Sequence, residues 1–200
     1  SYSYEEFSEV YRKEYKRKKQ IDKLVREQQK IALQEDIIDY DAYKLKPNKM
    51  QGEFICRVHD LIERGANKAL LISATGTGKT YASAFAMRNE KPKKALFIVH
   101  RELIARQALK SYKKVFGSMK KLALLSGNSK EYDADILFAT MSMMAKSETL
   151  ERYKTDEFDW ICIDEVHRAG SESYQKIMNY FQPNFWLGMT ASPERTDGFD

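Results

Sequence analysis

One stretch of the 200-residue chain has the residue types and spacing to hold a polyphosphate: Ser73-Ala74-Thr75-Gly76-Thr77-Gly78-Lys79-Thr80. Gly76 and Gly78 let the backbone turn its N–H groups inward, where a side chain would clash or force an unfavourable φ. Those N–H groups, from Thr75, Gly76, Thr77 and Gly78, combine with the positive end of a following helix to cradle phosphate oxygens. Lys79 would reach the β- and γ-phosphates, and the Thr80 hydroxyl would hold Mg²⁺. The usual spacing is Gly-x-x-x-x-Gly-Lys-Ser/Thr, and Ser73 stands at the first glycine. A small residue fits there, so the stretch reads as a variant of that loop. The plainer alternative is a Gly/Thr-rich loop that ends in Lys by chance. Its neighbours weigh against that: Ala69 to Ile72 reads as a strand before it, and Tyr81 to Met87 as a helix after it.

The second stretch is Ile163-Asp164-Glu165-Val166-His167. Asp164 follows an apolar run and would ligand Mg²⁺ through water, completing the site that Thr80 begins. Glu165 would polarise an attacking water as general base. Successive side chains of a strand point to opposite faces, so the chain must turn at Asp164 for both carboxylates to face one ligand. An Asp-Glu pair ending a strand is common. Beside the phosphate loop it becomes the other half of one magnesium site. His167 would hydrogen-bond a group such as Thr190 or Ser192 and sense the state of the nucleotide.

These residues need a scaffold. Apolar runs at 69–72, 95–99, 122–125, 136–139, 160–163 and 185–189 read as strands, several of them buried on both faces. Helical spacing predicts helices from Asn48, as N-cap, to Gly65, from Arg101 to Phe116, and from Ser171 to Tyr180. The second of these should carry Leu103, Ile104, Ala108, Leu109 and Tyr112 on one side. Strands and helices alternate from residue 68 onward, which predicts an α/β fold with a mostly parallel sheet covered by helices on both faces. The candidate residues then gather at the carboxyl ends of the strands.

Residues 1–45 differ: they hold no Gly or Pro, and their apolar positions recur at helical spacing. They read as a helical extension or linker, ahead of a main domain at 46–200. Arg12, Lys13 and Lys16 to Lys19 form a basic run, which we read as a solvated helix face balanced by nearby glutamates; a face for nucleic-acid phosphates is the alternative. The net charge of +5 permits a polyanionic partner without demanding one. Cys56 and Cys162 have no metal-ligand spacing and sit in apolar settings. Buried free thiols in a reducing, cytoplasmic setting are expected. No run approaches membrane-spanning length. Ser1 at the start and a tail that stops soon after a motif suggest a piece of a longer protein.

Taken together, Ala74 to Thr80, Asp164-Glu165-Val166-His167 and Thr190-Ala191-Ser192-Pro193-Glu194-Arg195 resemble motifs I, II and III of superfamily 2 helicases and translocases. They are most similar to the DEAH-like branch that includes type I and type III restriction motor subunits and related bacterial DNA helicases. His100-Arg101-Glu102-Leu103-Ile104 resembles motif Ia, and Ala139-Thr140-Met141-Ser142 motif Ib. The resemblance covers about residues 45–200 and implies the first of two RecA-like (P-loop NTPase) domains. It implies ATP and Mg²⁺ as cofactors, with Lys79, Thr80, Asp164 and Glu165 as ATPase residues. It implies Thr190 and Ser192 as coupling residues and Arg101 and Thr140 as nucleic-acid contacts. Gln51 occupies the place of the adenine-reading glutamine, although it lies four residues after Pro47 where many relatives have two. The implied partner is nucleic acid, DNA rather than RNA, together with a second RecA-like domain. That second domain supplies an arginine finger, and such a group contributes about 10³ to 10⁵ in rate. Residues 1–200 alone are therefore expected to bind ATP weakly and hydrolyse it poorly. The alternatives are the motor part of a restriction endonuclease subunit, and a nucleic-acid-binding scaffold with a vestigial ATP site.

Overall fold

The computed structural model describes residues 4–34, 45–73, 78–166 and 171–191, with side chains from residue 12 to 27 in the first stretch. A long helix α1, Tyr4–Gln34, comes first. Helix α2, Lys49–Glu63, leads into strand β1, Lys68–Ile72. Helix α3, Lys79–Glu90, β2, Ala95–Val99, and α4, Glu102–Phe116, follow. Then come β3, Leu122–Leu125, and β4, Ile136–Thr140. Two short helices succeed them, α5, Met141–Met144, and α6, Ser147–Leu150. Strand β5, Trp160–Asp164, helix α7, Glu172–Tyr180, and β6, Phe185–Thr190, complete the described chain.

The six strands form one sheet in the order β1-β6-β5-β2-β4-β3, and every pairing is parallel. The α/β expectation therefore stands, and the six expected strands are the six observed. The core lies in two layers, and the strands feed them alternately. Phe97, Phe138, Trp160, Cys162 and Leu187 face α2, α3 and α4. Leu96, Ile98, Leu137, Ile161 and Ile163 face α5 and α7 on the other side. Burial on both faces is why these strands read as unbroken apolar runs.

Helix α2 starts as its sequence predicts. Asn48 is the N-cap, and its Oδ1 accepts the Gln51 N–H at 2.9 Å. Gln51 Oε1 accepts the Asn48 N–H in return, also at 2.9 Å, which closes a capping box. Helix α3 is buried along Ala82 to Arg88, so it is a core helix without a polar face. It packs between α2 and α4. Tyr112 of α4 meets Phe97 and Phe138 edge-on, at 5.4 and 5.1 Å between ring centroids. Each such pair adds about 0.5–1.5 kcal/mol beyond buried area.

The first turn of α4 departs from expectation. Ala108 and Tyr112 are buried, but Leu103 is 65% and Ile104 37% exposed. The buried face runs through Ala105, Ala108, Tyr112, Val115 and Phe116 instead. Helices α5 and α6 were not foreseen. Cys56 and Cys162 are both buried and unbridged.

Candidate nucleotide-binding site

Parallel pairing brings all strand ends to one edge. Strand β6 lies between β1 and β5. The start of the phosphate loop and Asp164 are therefore two strand spacings apart, about 10 Å. The register is close at this edge: Ile72 sits opposite Thr190, and Asp164 opposite Met189. The Ser73 N–H donates to the Thr190 carbonyl at 3.1 Å, so the ladder continues into the loop's first residue. Thr190 is fully buried. Thr75, Gly76, Thr77, His167 and Ser192 lie outside the described residues.

Gly78 ends the loop and caps α3, at φ 81°. Glycine is favoured there by its backbone angle, and a Cβ would also displace the end of the Gln51 side chain. An L side chain rarely adopts that φ, and a Cβ would lie 2.7 Å from Gln51 Nε2. Lys79 and Thr80 are the first two residues of α3, half-buried, at the positive end of the helix dipole.

Asp164 is the last residue of β5 and half-buried. It continues the row of Trp160 and Cys162, which faces the layer of α3 and α4. Its carboxylate thus emerges on the same side of the sheet as Lys79 and Thr80. The electrostatics agree. Burial pushes the Tyr112 phenol and the Cys162 thiol well above their ordinary values, and the Asp164 charge adds to both shifts.

The expected turn is present. Glu165 has φ 55°, in the left-handed region, and its N–H donates to Asp164 Oδ1 at 3.0 Å. A strand continuing straight would send Glu165 to the α5–α7 side; the reversal frees it from that alternation. A non-glycine residue in this region costs about 1–2 kcal/mol. Val166, fully buried, and the Tyr174 hydroxyl, which donates to the Asp164 carbonyl at 3.4 Å, hold the turn in place.

Two features of the site were not legible beforehand. Gln51 is buried, and its Nε2 donates to the Gly78 carbonyl at 3.3 Å. Its amide thus ties the cap of α2 to the cap of α3. Ser83, one turn into α3, donates to the Thr80 carbonyl at 2.8 Å and meets the Tyr112 hydroxyl at 2.9 Å. The buried Ser83–Tyr112 pair fastens the first turn of α3 to α4.

A separate group forms where β2 and β4 end side by side, with Val99 opposite Thr140. Arg101 is exposed and caps α4, and Thr140 is buried and caps α5. Glu102 braces this edge. It accepts from Arg106 Nη2 at 2.6 Å and from Asn128 Nδ2 at 2.9 Å. Arg106, with Ser126 and Asn128, holds the Glu102 carboxyl below its ordinary value.

No cluster of three or more His, Cys, Asp or Glu occurs among the described residues. Asp164 with the Thr80 hydroxyl is a donor set that suits Mg²⁺, which takes few protein carboxylates and completes its shell with phosphate and water.

The family model described as "Type III restriction enzyme, res subunit" matches residues 44–195. The chain is 28% identical over 168 residues to a type I restriction enzyme EcoAI endonuclease subunit of Escherichia coli; the match takes 78% of this chain and 20% of that protein. The chain thus spans about a fifth of that relative's length. Among solved structures, it is similar to a nuclease-deletion mutant of the Type ISP restriction-modification enzyme LlaGI with a DNA substrate mimic. That likeness has a TM-score of 0.58 at 19% identity, over 74% of this chain and 18% of the other. A hypothetical ATP-dependent RNA helicase from Sulfolobus tokodaii matches with a TM-score of 0.60 at 20% identity, over 72% and 47% of the two chains. The fold is accordingly that of a RecA-like helicase domain. With a family model that matches residues 44–195, most of the sequence, the chain belongs to the type III restriction enzyme res-subunit family.

Proposed function

We propose that the chain is the ATP-binding first motor domain of a helicase or translocase that hydrolyses ATP to move along nucleic acid. The observation that carries this reading is the shared edge. The carboxyl end of β1 and the Asp164–Glu165 turn lie at one edge with a single strand between them, and Asp164 is on the side of α3. Two sequence-distant acidic and basic groups then bracket one triphosphate.

Within that reading, Thr75, Gly76, Thr77 and Gly78 wrap the phosphates, and Lys79 binds the β- and γ-phosphates. Thr80 and Asp164 hold Mg²⁺, which supplies charge neutralisation at the phosphate oxygens. Glu165 orients and deprotonates the attacking water. Gln51 keeps one amide hydrogen and one oxygen lone pair beyond its two bonds, and these read adenine. Thr190, Ser192 and His167 transmit the state of the nucleotide. Arg101 and Thr140 contact the nucleic-acid backbone. DNA is favoured over RNA because the Escherichia coli relative is named as a restriction endonuclease subunit. A second RecA-like domain would complete the site with an arginine. The division at residues 45 and 46, and a cytoplasmic setting, belong to the same proposal. No helix of the described residues is long and apolar enough to cross a membrane.

The test is ATP hydrolysis by the full-length protein, with and without DNA. Lys79→Ala should remove hydrolysis and translocation together. A scaffold with a vestigial site would retain its nucleic-acid binding and show no hydrolysis in the unaltered protein.

A further inference from the structure

The described part of α1 carries a stripe of cations. Arg12, Lys16, Lys19, Lys23 and Arg26 recur at spacings of four, three, four and three, which keeps them within about 80° of one helix face. All five are exposed. Leu24 is buried and Ile21 half-buried, and both join the core beside α2. They lie on the opposite face. Ile21 rests on α2 so closely that a Cβ at Gly52 would lie 2.9 Å from its Cγ2. Gln20 reaches Asp60 at 3.4 Å.

The balance of charge is one-sided. Residues 12–27 hold eight Lys and Arg against three Asp and Glu, a net of +5, which matches the net charge of the whole chain. Lys23 is 4.0 Å from Glu27, with both side chains at least half exposed. Over the whole of α1 nine Lys and Arg stand against six Asp and Glu, so glutamates offset part of the charge and an excess of cations remains.

A basic amphipathic helix can also lie on a membrane surface, but that requires its apolar face. Here the apolar face is committed to α2. What remains outward is mostly charge, with one aromatic, Tyr15, 62% exposed, along a rod about 21 Å long. A nucleic-acid duplex presents about six phosphates of one strand over that distance.

We infer that the outward stripe of α1 is a second nucleic-acid contact, binding the phosphate backbone of a duplex. It is separate from the strand-end group of Arg101 and Thr140, because it stands on the outer side of α2. It rests on the reading that the protein's partner is nucleic acid.

The experiment is a salt titration of binding to a 30-base-pair DNA duplex by fluorescence anisotropy, using the full chain. The stripe variant is Lys16→Gln, Lys19→Gln, Lys23→Gln together. The control variant is Lys110→Gln, Lys113→Gln, Lys114→Gln, three exposed lysines of α4, with the same loss of charge. Each lost phosphate contact removes about 0.9 from the slope of log affinity against log salt. The stripe variant should lower that slope by about 2 to 3, and the control by less than 1. An unchanged slope in the stripe variant overturns the inference, as does an equal drop in the control. Loss of binding to phosphatidylserine vesicles with duplex binding intact also overturns it. Stimulation of wild-type ATP hydrolysis by single-stranded DNA tests the motor reading separately. A stimulated protein with an unmoved slope refutes the stripe alone.

Discussion

Ser83 and Tyr112 give a prediction whose ordering follows from counting hydrogens. Ser83 has one hydroxyl hydrogen, and it goes to the Thr80 carbonyl. The Tyr112 hydroxyl, 2.9 Å away, must then donate to Ser83 Oγ. Both side chains are fully buried. Tyr112→Phe removes the donor with its bond and leaves Ser83 still donating, at a cost of about 1 kcal/mol. Ser83→Ala strands the phenol without an acceptor in the core, at a cost of about 1–3 kcal/mol. The double variant removes the stranded group as well, so it should be no less stable than Ser83→Ala alone. The coupling between the two sites should be about 1 kcal/mol or more. For a domain of this size each kcal/mol moves Tm by about 2–4 °C. Urea unfolding of the four proteins reads all three differences. If Tyr112→Phe costs more than Ser83→Ala, or if the two costs add, the assigned direction of the bond is wrong.

Other outcomes follow from the same geometry. Glu165→Gly should be more stable than Glu165→Ala by about 1 kcal/mol, because only glycine accepts the left-handed φ without strain. Both should lower ATP hydrolysis by about 10²–10⁴ relative to the unaltered protein, as loss of a general base does. Gly52→Ala should loosen α1, detected by faster proteolysis near residue 20, since the new methyl collides with Ile21. With Ile21→Ala in place, the same change should instead stabilise by up to about 1 kcal/mol through helix propensity. The Glu102 carboxyl lies below its ordinary value through Arg106, Ser126 and Asn128. A lowered carboxyl stabilises fully above its unfolded pKa and loses that contribution as pH falls through the folded one. The protection factors of the amides in residues 126–129, with the pH dependence of intrinsic exchange divided out, should therefore fall in acid, below the ordinary carboxylate range, and Glu102→Gln should show the lower protection already at neutral pH.

Much of this architecture was legible in residue order. Strands buried on both faces leave unbroken apolar runs, and their boundaries matched almost residue for residue. Asn48 announced the start of α2 because a short polar side chain there satisfies orphan N–H groups. The need for both Asp164 and Glu165 to serve one ligand implied a turn, and Glu165 makes it with a positive φ. The order of strands was not legible, because an apolar run does not name its neighbour. Leu103 and Ile104 were misplaced for a different reason: at about 100° per residue they fall about 160° and about 100° from Ala105, the first opposite and the second at the edge of the buried face of Ala105, Ala108, Tyr112, Val115 and Phe116. Helices α5 and α6 are single turns, too short for periodicity to mark. The bonds of Gln51 to Gly78 and of Ser83 to Tyr112 join residues 27 and 29 positions apart. No local pattern records such contacts.

The central claim is that Lys79 and Asp164 act on one magnesium-bound triphosphate. Calorimetric titration of ATP into the full-length protein, with and without Mg²⁺, tests it most directly. The account predicts that Mg²⁺ tightens binding in the unaltered protein, that Asp164→Ala abolishes this enhancement, and that Lys79→Ala weakens binding under both conditions. Full magnesium enhancement in Asp164→Ala, with Lys79→Ala binding ATP as the unaltered protein does, would contradict it.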